Sequence, residues 1–272
     1  MKLCRFESAM GETLTGCLEP AEPGMARVLE GGAGTPYRET ARVVKVERLL
    51  APVTPRVVYA LGLNYGKHAR ETGIAAPSAP LVFMKAPTSV IGPGETILLP
   101  LAGPDQVDYE AELAVVIGKA GKNISRADAL DHILGYTCAN DVSARDWQMD
   151  KARGQQGQWT RGKGFDTFCP LGPFLVTKDE IGNPHGLRIC TRLNGQVVQD
   201  ARTDQLIFDI PSLVSFLSQS VTLLPGTVIL TGTPEGVGFT RQPPLFLRHG
   251  DTVEVQIEQI GILSNPVERE TP

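Results

Sequence analysis

Val107-Asp108-Tyr109-Glu110-Ala111-Glu112-Leu113-Ala114-Val115-Val116-Ile117 is the stretch whose reading decides the fold of this chain. Taken as a β-strand, its period of two puts Asp108, Glu110 and Glu112 on one face and Ala111, Leu113, Val115 and Ile117 on the other. Carboxylates held that close repel and raise one another's pKa, so an acidic array beside an apolar run calls for a compensating cation. Spacing alone leaves two arrangements open: an edge strand whose acidic face is solvated, or a bound divalent ion. A further isolated acid, Asp141, ends the apolar segment Gly135-Tyr136-Thr137-Cys138-Ala139 and favours the ion. All-oxygen ligation by few protein groups suits Mg²⁺ or Mn²⁺, which keep positions open for water and substrate. No histidine or cysteine accompanies the carboxylates, which weighs against zinc.

Outward from this stretch, strands dominate. Arg56-Val57-Val58-Tyr59-Ala60-Leu61 reads as a buried strand, and others are predicted at 81–85, 135–140, 172–176, 187–193, 196–200, 227–231 and 252–257. Asn194-Gly195 between two alternating runs marks a hairpin turn, because both central residues of that turn need positive φ. Two helices are signalled. One follows Ser125, with Asp128 as its capping partner and Leu130, Ile133 and Leu134 as its apolar face. The other starts at Asp209-Ile210-Pro211 and stops at Pro225-Gly226. Residues 1–50 carry short apolar runs broken by Gly and Pro and read as a small β-rich appendage; Pro52 and Pro55 mark a boundary before a main domain over 56–272. The fold class expected is mixed and mostly β, with a few short helices.

The 272 residues, 42% of them hydrophobic, suffice for a sizeable core. Thirty acids against 26 bases, with no basic block, make neither nucleic acid nor an anionic membrane an expected partner. The five cysteines are scattered, odd in number and without a C-x-x-C pair, so they read as reduced thiols. The N-terminus has no apolar leader core, and no run approaches the length of a membrane span. A cytoplasmic protein acting on a small molecule is the expectation. Gly232, Gly236 and Gly238 follow the apolar Val228-Ile229-Leu230, but they lack the G-x-G-x-x-G order and no helical pattern follows Pro234, so no nucleotide cofactor is predicted.

A series of motifs in fixed order then becomes recognisable: Gly62-Leu63-Asn64-Tyr65 with His68, Phe83-Met84-Lys85, Asp108-Tyr109-Glu110-Ala111-Glu112-Leu113, and Asn140-Asp141-Val142-Ser143-Ala144-Arg145-Asp146-Trp147-Gln148. Lys163-Gly164-Phe165-Asp166 and Thr231-Gly232-Thr233-Pro234-Glu235-Gly236 complete it. From about residue 56 onward the chain resembles the fumarylacetoacetate hydrolase family, in its branch of acylpyruvases, hydratases and hydroxy-dienedioate isomerases. The resemblance implies a β-roll catalytic domain, a homodimer, and one Mg²⁺ or Mn²⁺ per subunit on Glu110, Glu112 and Asp141, with Asp108 outside the ligand set.

It also implies roles for residues that spacing alone leaves ambiguous. His68 and Glu71 stand three apart, on one side of a helical turn, and correspond to a pair on a lid that orients a water in the acylpyruvase branch. Lys163 corresponds to the active-site lysine, and Arg145, Gln148 and Thr233 to substrate-binding positions. Lys85 and Tyr65 either reach the pocket or serve a core or salt-bridge role. Lid residues 66–80 and the segment 149–160 with Trp159 are expected to set side-chain preference. The activity implied is hydrolytic C–C cleavage of a 1,3-diketo acid such as an acylpyruvate or fumarylpyruvate. The alternatives on the same scaffold are oxaloacetate decarboxylation or tautomerisation, hydroxy-dienoate isomerisation, and a non-catalytic metal-binding protein.

Overall fold

Every residue of the strand Ala111–Ile117 is buried, because it lies between two antiparallel neighbours, Ile133–Asn140 and Val228–Leu230. The solvated edge strand is thereby excluded. Its two faces divide as the period of two requires. Leu113, Val115 and Ile117 enter one apolar cluster, and Ala114 and Val116 enter another on the opposite side. A strand covered on both faces must be apolar nearly throughout, which is why this segment reads as a continuous run.

A computed structural model, describing residues 1–150, 152 and 157–272, places this strand inside an eleven-stranded sheet. From one edge the order is Thr13–Leu18, Met25–Gly32, Thr35–Leu50, Lys2–Ser8, Cys169–Thr177, Ile133–Asn140, Ala111–Ile117, Val228–Leu230, Val58–Gly62 and Leu81–Lys85, with Val90–Ile91 added alongside Cys169–Thr177. A second sheet runs Gln196–Arg202, Arg188–Leu193, Thr252–Ile257, Gly261–Arg269, Ile97–Leu99. Ile189, Ala201, Val255 and Ile257 from this second sheet share the cluster of Leu113 and Val115, as do Leu213 and Val214 of the helix Ile210–Leu217. The two larger sheets thus pack over this shared cluster, with a second cluster on the far face of the eleven-stranded sheet.

The first fifty residues are β-rich, as their composition suggests. They do not stop at their own hydrogen bonds: Lys2 and Leu3 pair with Val176 and Leu175, so these strands continue the large sheet. At the Asn194-Gly195 turn both residues have positive φ, 51° and 79°, as the two-residue hairpin requires.

Both predicted helices need correction. The Ser125–Asp128 capping pair forms, with Ser125 Oγ donating to Asp128 at 2.6 Å, yet only a 3-10 turn, Ala129–His132, follows it. Ile133 and Leu134 belong to a strand instead, because the apolar run from Ile133 to Ala139 is claimed by the sheet on both sides. The second helix begins as expected, with Asp209 accepting from the Ser212 N–H at 3.0 Å, but ends at Leu217, well before Pro225. Ser218 ends it by turning its hydroxyl back to the Ser215 carbonyl and by accepting from the Ile124 N–H.

Leu113 is fully buried beside Glu112. Leu113→Ala should lower unfolding stability by about 2–5 kcal/mol, read as a shifted urea midpoint with an unchanged slope; a loss below about 1 kcal/mol would mean this strand is not the centre of the core.

Candidate active site

The predicted strand 107–117 is in fact two strands. Val107–Asp108 pairs with Ser143–Ala144, and the chain re-enters the large sheet at Ala111. The break is held by hydrogen bonds. Asn140 Oδ1 accepts from the Glu110 N–H at 3.0 Å, Gln199 Oε1 accepts from the Ala111 N–H at 3.0 Å, and the Asp141 N–H donates to the Glu110 carbonyl at 2.9 Å. This turn brings Glu110 and Asp141 to Glu112, so that one carboxylate oxygen from each lies within 4.8 Å of the others, all three residues buried. Asp108 stands apart from that trio. Its carboxylate accepts from Arg145 Nε and Nη2 and from the backbone N–H groups of Tyr109, Gly238 and Phe239.

Charge decides what the trio can hold. Lys163 Nζ bridges Glu110 and Asp141 at 2.7 Å each, Lys85 Nζ donates to Asp141, and Arg145 Nη2 reaches Glu110 at 2.7 Å while forking onto Asp108. Fully ionised, Asp108, Glu110, Glu112 and Asp141 would carry four negative charges against the three positive charges of Lys85, Arg145 and Lys163, all seven residues being buried. Burial alone would raise the Glu110 pKa, but Lys163 and Arg145 outweigh it and hold the carboxyl below its ordinary value. Glu112 moves the other way: burial, then the charges of Asp141 and Glu110, push it well above the ordinary carboxylate range. Its Oε2 accepts from the Gly232 N–H at 2.6 Å, while its Oε1 is buried and has no hydrogen-bond partner among the described residues. An orphaned carboxyl oxygen, a carboxyl whose ionisation the local cations leave unbalanced and an all-oxygen donor set fit a small hard divalent cation.

Beside the trio is a cavity of about 140 Å³ lined by Leu61, Leu63, His68, Thr72, Ile74, Phe83, Glu110, Arg145, Gln148, Met149, Trp159, Lys163, Thr233 and Phe239. A larger hollow of about 430 Å³ lies against the N-terminal strands, but none of these groups lines it. The short helix Gly66–Glu71 carries both members of the predicted pair: His68 Nδ1 lies 3.2 Å from Glu71 Oε2, and the Glu71 carboxylate also accepts from the Gly236 N–H. Burial raises the Glu71 pKa, but the hydrogen bonds from His68, Thr240 and Gly236 outweigh it and keep the group low and ionised. An ionised Glu71 accepts from Nδ1–H, which leaves the His68 Nε2 lone pair free.

All six predicted catalytic and substrate-binding residues except Glu71 line this cavity. Arg145 has most of its donors engaged by Asp108, Glu110 and Gln148, with one Nη1 N–H that meets no acceptor among the described residues. Gln148 accepts from Arg145 through Oε1 at 2.7 Å, which turns its NH₂ away from the guanidinium. Of the segments expected to set preference, Thr72, Ile74, Met149 and Trp159 reach the cavity wall; residues 151 and 153–156 lie outside the described residues. Tyr65 is fully buried with its hydroxyl unpartnered and does not line the cavity, whereas Lys85 belongs to the charge cluster through Asp141.

Residues that pattern did not single out also build the site. Asn64 clamps two loops, donating to the carbonyls of Phe208 and Thr231 and accepting from the Phe208 N–H. Gly232 has φ +98°, and a Cβ there would stand 2.7 Å from the Asn64 Cβ, so only glycine lets its N–H reach Glu112. Asn140 and Gln199 hold the chain break. The Asn140-Asp141 pairing was the available signal for the first; Gln199 carried none.

Comparisons with known proteins identify the family. Residues 57–268 match the family model described as fumarylacetoacetate (FAA) hydrolase C-terminal. The chain is 47% identical over 265 residues to the bovine oxaloacetate tautomerase FAHD2A, mitochondrial, covering 96% of this chain and 82% of that protein. Its human counterpart is 46% identical over 269 residues, covering 98% and 83%. Among solved structures, 5-carboxymethyl-2-hydroxymuconate delta-isomerase from Mycobacterium smegmatis superposes with a TM-score of 0.86 at 42% identity, covering 99% of this chain and all of the other. The 2-hydroxyhepta-2,4-diene-1,7-dioate isomerase from Mycobacterium marinum superposes at 0.82 with 41% identity, and both chains are covered in full.

One expectation is overturned. The bovine and human relatives are named as mitochondrial proteins, which contradicts the cytoplasmic location read from composition. Reduced thiols do not distinguish one reducing compartment from another.

Because Glu112 has its pKa raised on folding, its contribution to metal-free stability is present at low pH and is lost as pH climbs above the ordinary carboxylate range. Glu112→Gln should therefore raise the melting temperature of the metal-free protein at neutral pH, by about 2–4 °C per kcal/mol relieved. The same substitution should abolish the stabilisation by Mg²⁺ or Mn²⁺, which in the wild type should grow as pH climbs above the ordinary carboxylate range and the proton stops competing. Thermal scans with chelator and with metal read both effects.

Proposed function

The chain belongs to the fumarylacetoacetate hydrolase family, and from that premise we propose that it is a divalent-metal-dependent tautomerase of small 2-oxo acids, interconverting the enol and keto forms of an oxaloacetate-type substrate. The observation that carries the reading is one small cavity lined both by Glu110, a member of a buried acid trio fit for a cation, and by His68, whose Nδ1 is held by Glu71. The names of the bovine and human relatives, and the isomerases among the solved structures, support moving protons over cleaving carbon–carbon bonds.

Glu110, Glu112 and Asp141 would hold Mg²⁺ or Mn²⁺, which supplies Lewis-acid polarisation of the 2-oxo group and so makes the enolate accessible. The chain's own residues manage the proton. His68 Nε2 takes it from the enol hydroxyl, and the ionised Glu71 beside Nδ1 stabilises the imidazolium while it lasts. The imidazolium then returns a proton to the carbon next to the carbonyl, so the enol loses one O–H and the ketone gains one C–H. Lys163 has two N–H groups on Glu110 and Asp141 and keeps a third for the oxygen that bears the developing charge. The spare Arg145 N–H and the Gln148 NH₂ suit the substrate carboxylate. At about 30 Å³ for each water in the liquid, the cavity of about 140 Å³ has room for a compact acid.

A second reading, hydrolytic cleavage of an acylpyruvate, is favoured by the apolar outer wall of Ile74, Phe83, Met149 and Trp159, which would seat an acyl tail. There the His68–Glu71 pair would draw a proton from water instead. The two readings differ in products: tautomerisation conserves the carbon skeleton, and hydrolysis yields two acids.

With Mg²⁺ or Mn²⁺ present, the protein should accelerate the decay of enol oxaloacetate absorbance without releasing a smaller acid. His68→Gln should reduce kcat about 10²–10⁴-fold, and Lys163→Ala on the order of 100-fold or more, both with the fold intact by circular dichroism. Turnover of acetylpyruvate to two acids, with no effect on oxaloacetate, would replace this reading by the hydrolytic one.

A further inference from the structure

The hairpin built on Asn194-Gly195 has a purpose that the reaction has not yet used. Thr191 and Gln199 face one another across it, and Gln199, 2% exposed, reaches from the second sheet to the break between Glu110 and Ala111. Its amide has one possible orientation. Oε1 accepts from the Ala111 N–H at 3.0 Å, and a backbone N–H can only donate. Nε2 donates to the Pro234 carbonyl at 2.9 Å, which can only accept. Two hydroxyls are thereby assigned. Thr191 Oγ1, 2.7 Å from Oε1, must donate, and Thr233 Oγ1, 2.9 Å from Nε2, must accept.

A hydroxyl that accepts from a fixed donor still has its own proton to place. Thr233 lines the cavity, and among the described residues its hydroxyl donates to no protein group. We infer that Gln199 is a positioning residue that fixes Thr233 as a hydrogen-bond donor pointing into the cavity, toward an oxygen of the bound 2-oxo acid. The loop is pressed tightly enough onto the hairpin to hold this setting. Gly236 approaches so closely that a Cβ would stand 2.3 Å from the Val198 carbonyl, and Arg241 ties the Gly236 and Val198 carbonyls together. The inference rests on the proposed reading that this cavity takes a 2-oxo acid.

The test is calorimetric binding of pyruvate to the Mg²⁺-loaded protein, alongside oxaloacetate kinetics. Gln199→Glu keeps the acceptor toward Ala111 and Thr191 but removes both donors, so the Thr233 hydroxyl swings round to donate to the new carboxylate. Gln199→Glu and Thr233→Val should each weaken pyruvate about 10- to 100-fold, the range for a hydrogen bond to a charged partner. Thr233→Ser should stay within about 3-fold of wild type, and the double variant Gln199→Glu/Thr233→Val within about 3-fold of the weaker single one. Should Gln199→Glu not fold, Gln199→Met removes donor and acceptor without adding charge; it should weaken pyruvate by a smaller factor in the Thr233→Val background than in the wild type, the remainder being the lost Ala111 and Thr191 contacts, and an equal factor in both backgrounds would overturn the inference. Wild-type affinity in a folded Gln199 variant, losses that multiply with Thr233→Val, or no pyruvate binding by the wild type would each overturn the inference. Thr233-dependent pyruvate binding without oxaloacetate turnover would sink the reaction and leave the hydroxyl's role standing.

Discussion

Three carboxylates, Glu110, Glu112 and Asp141, share a buried space where charge cannot be screened by water, and the surrounding structure answers that constraint. Desolvating one unpaired charge costs several kcal/mol even after relaxation, so the cluster could not persist without Lys163 across two of the acids and Lys85 and Arg145 beside them. These cations are themselves buried and would be as costly alone. The arrangement is mutually enforced, and its remainder is Glu112, the one carboxyl whose ionisation these three cations leave unbalanced. That remainder ties stability to ligand binding: the same oxygen that lacks a partner is the one a divalent cation would satisfy.

The fold supplies the rigidity such a cluster needs. Glu112 sits on a strand buried on both faces, and its neighbours in space arrive from separate parts of the chain: Asp141 from the end of the adjoining strand, the Gly232 N–H from the loop after Val228–Leu230, and Lys163 from the helix Trp159–Lys163. The His68–Glu71 pair is set differently. It rides on a short helix held to the 236 loop by the Glu71–Gly236 hydrogen bond and by an exposed Lys67–Glu235 ion pair. The proton-handling group thus rests on a short helix with His68 and Ala69 buried, and the charge cluster on a strand buried throughout.

The strands and the acid trio were open to reading because each leaves a local signature. Alternation and long apolar runs mark strands whether or not their partners are known, and two glutamates two residues apart with a later isolated aspartate form a chemical pattern. What escaped was set by distant partners. The break at Tyr109–Glu110 depends on Asn140 and Gln199, and no periodicity announces it. Ser125 and Asp128 make their capping contacts without a helix because Ile133 onward is taken by the sheet. Asp108, which spacing groups with the two glutamates, is turned to Arg145 and the Gly238 and Phe239 amides by that same break. Location failed for another reason: thiol chemistry reports on redox environment, and several compartments share one.

The central claim is that the unbalanced carboxyl of Glu112 marks a cation site shared by three carboxylates. Crystals of the protein grown with Mn²⁺, measured for anomalous scattering at the manganese edge, test it most directly. The account predicts one Mn²⁺ per chain, bound by carboxylate oxygens of Glu110, Glu112 and Asp141. A manganese peak elsewhere, or none at the trio under saturating Mn²⁺, would contradict it.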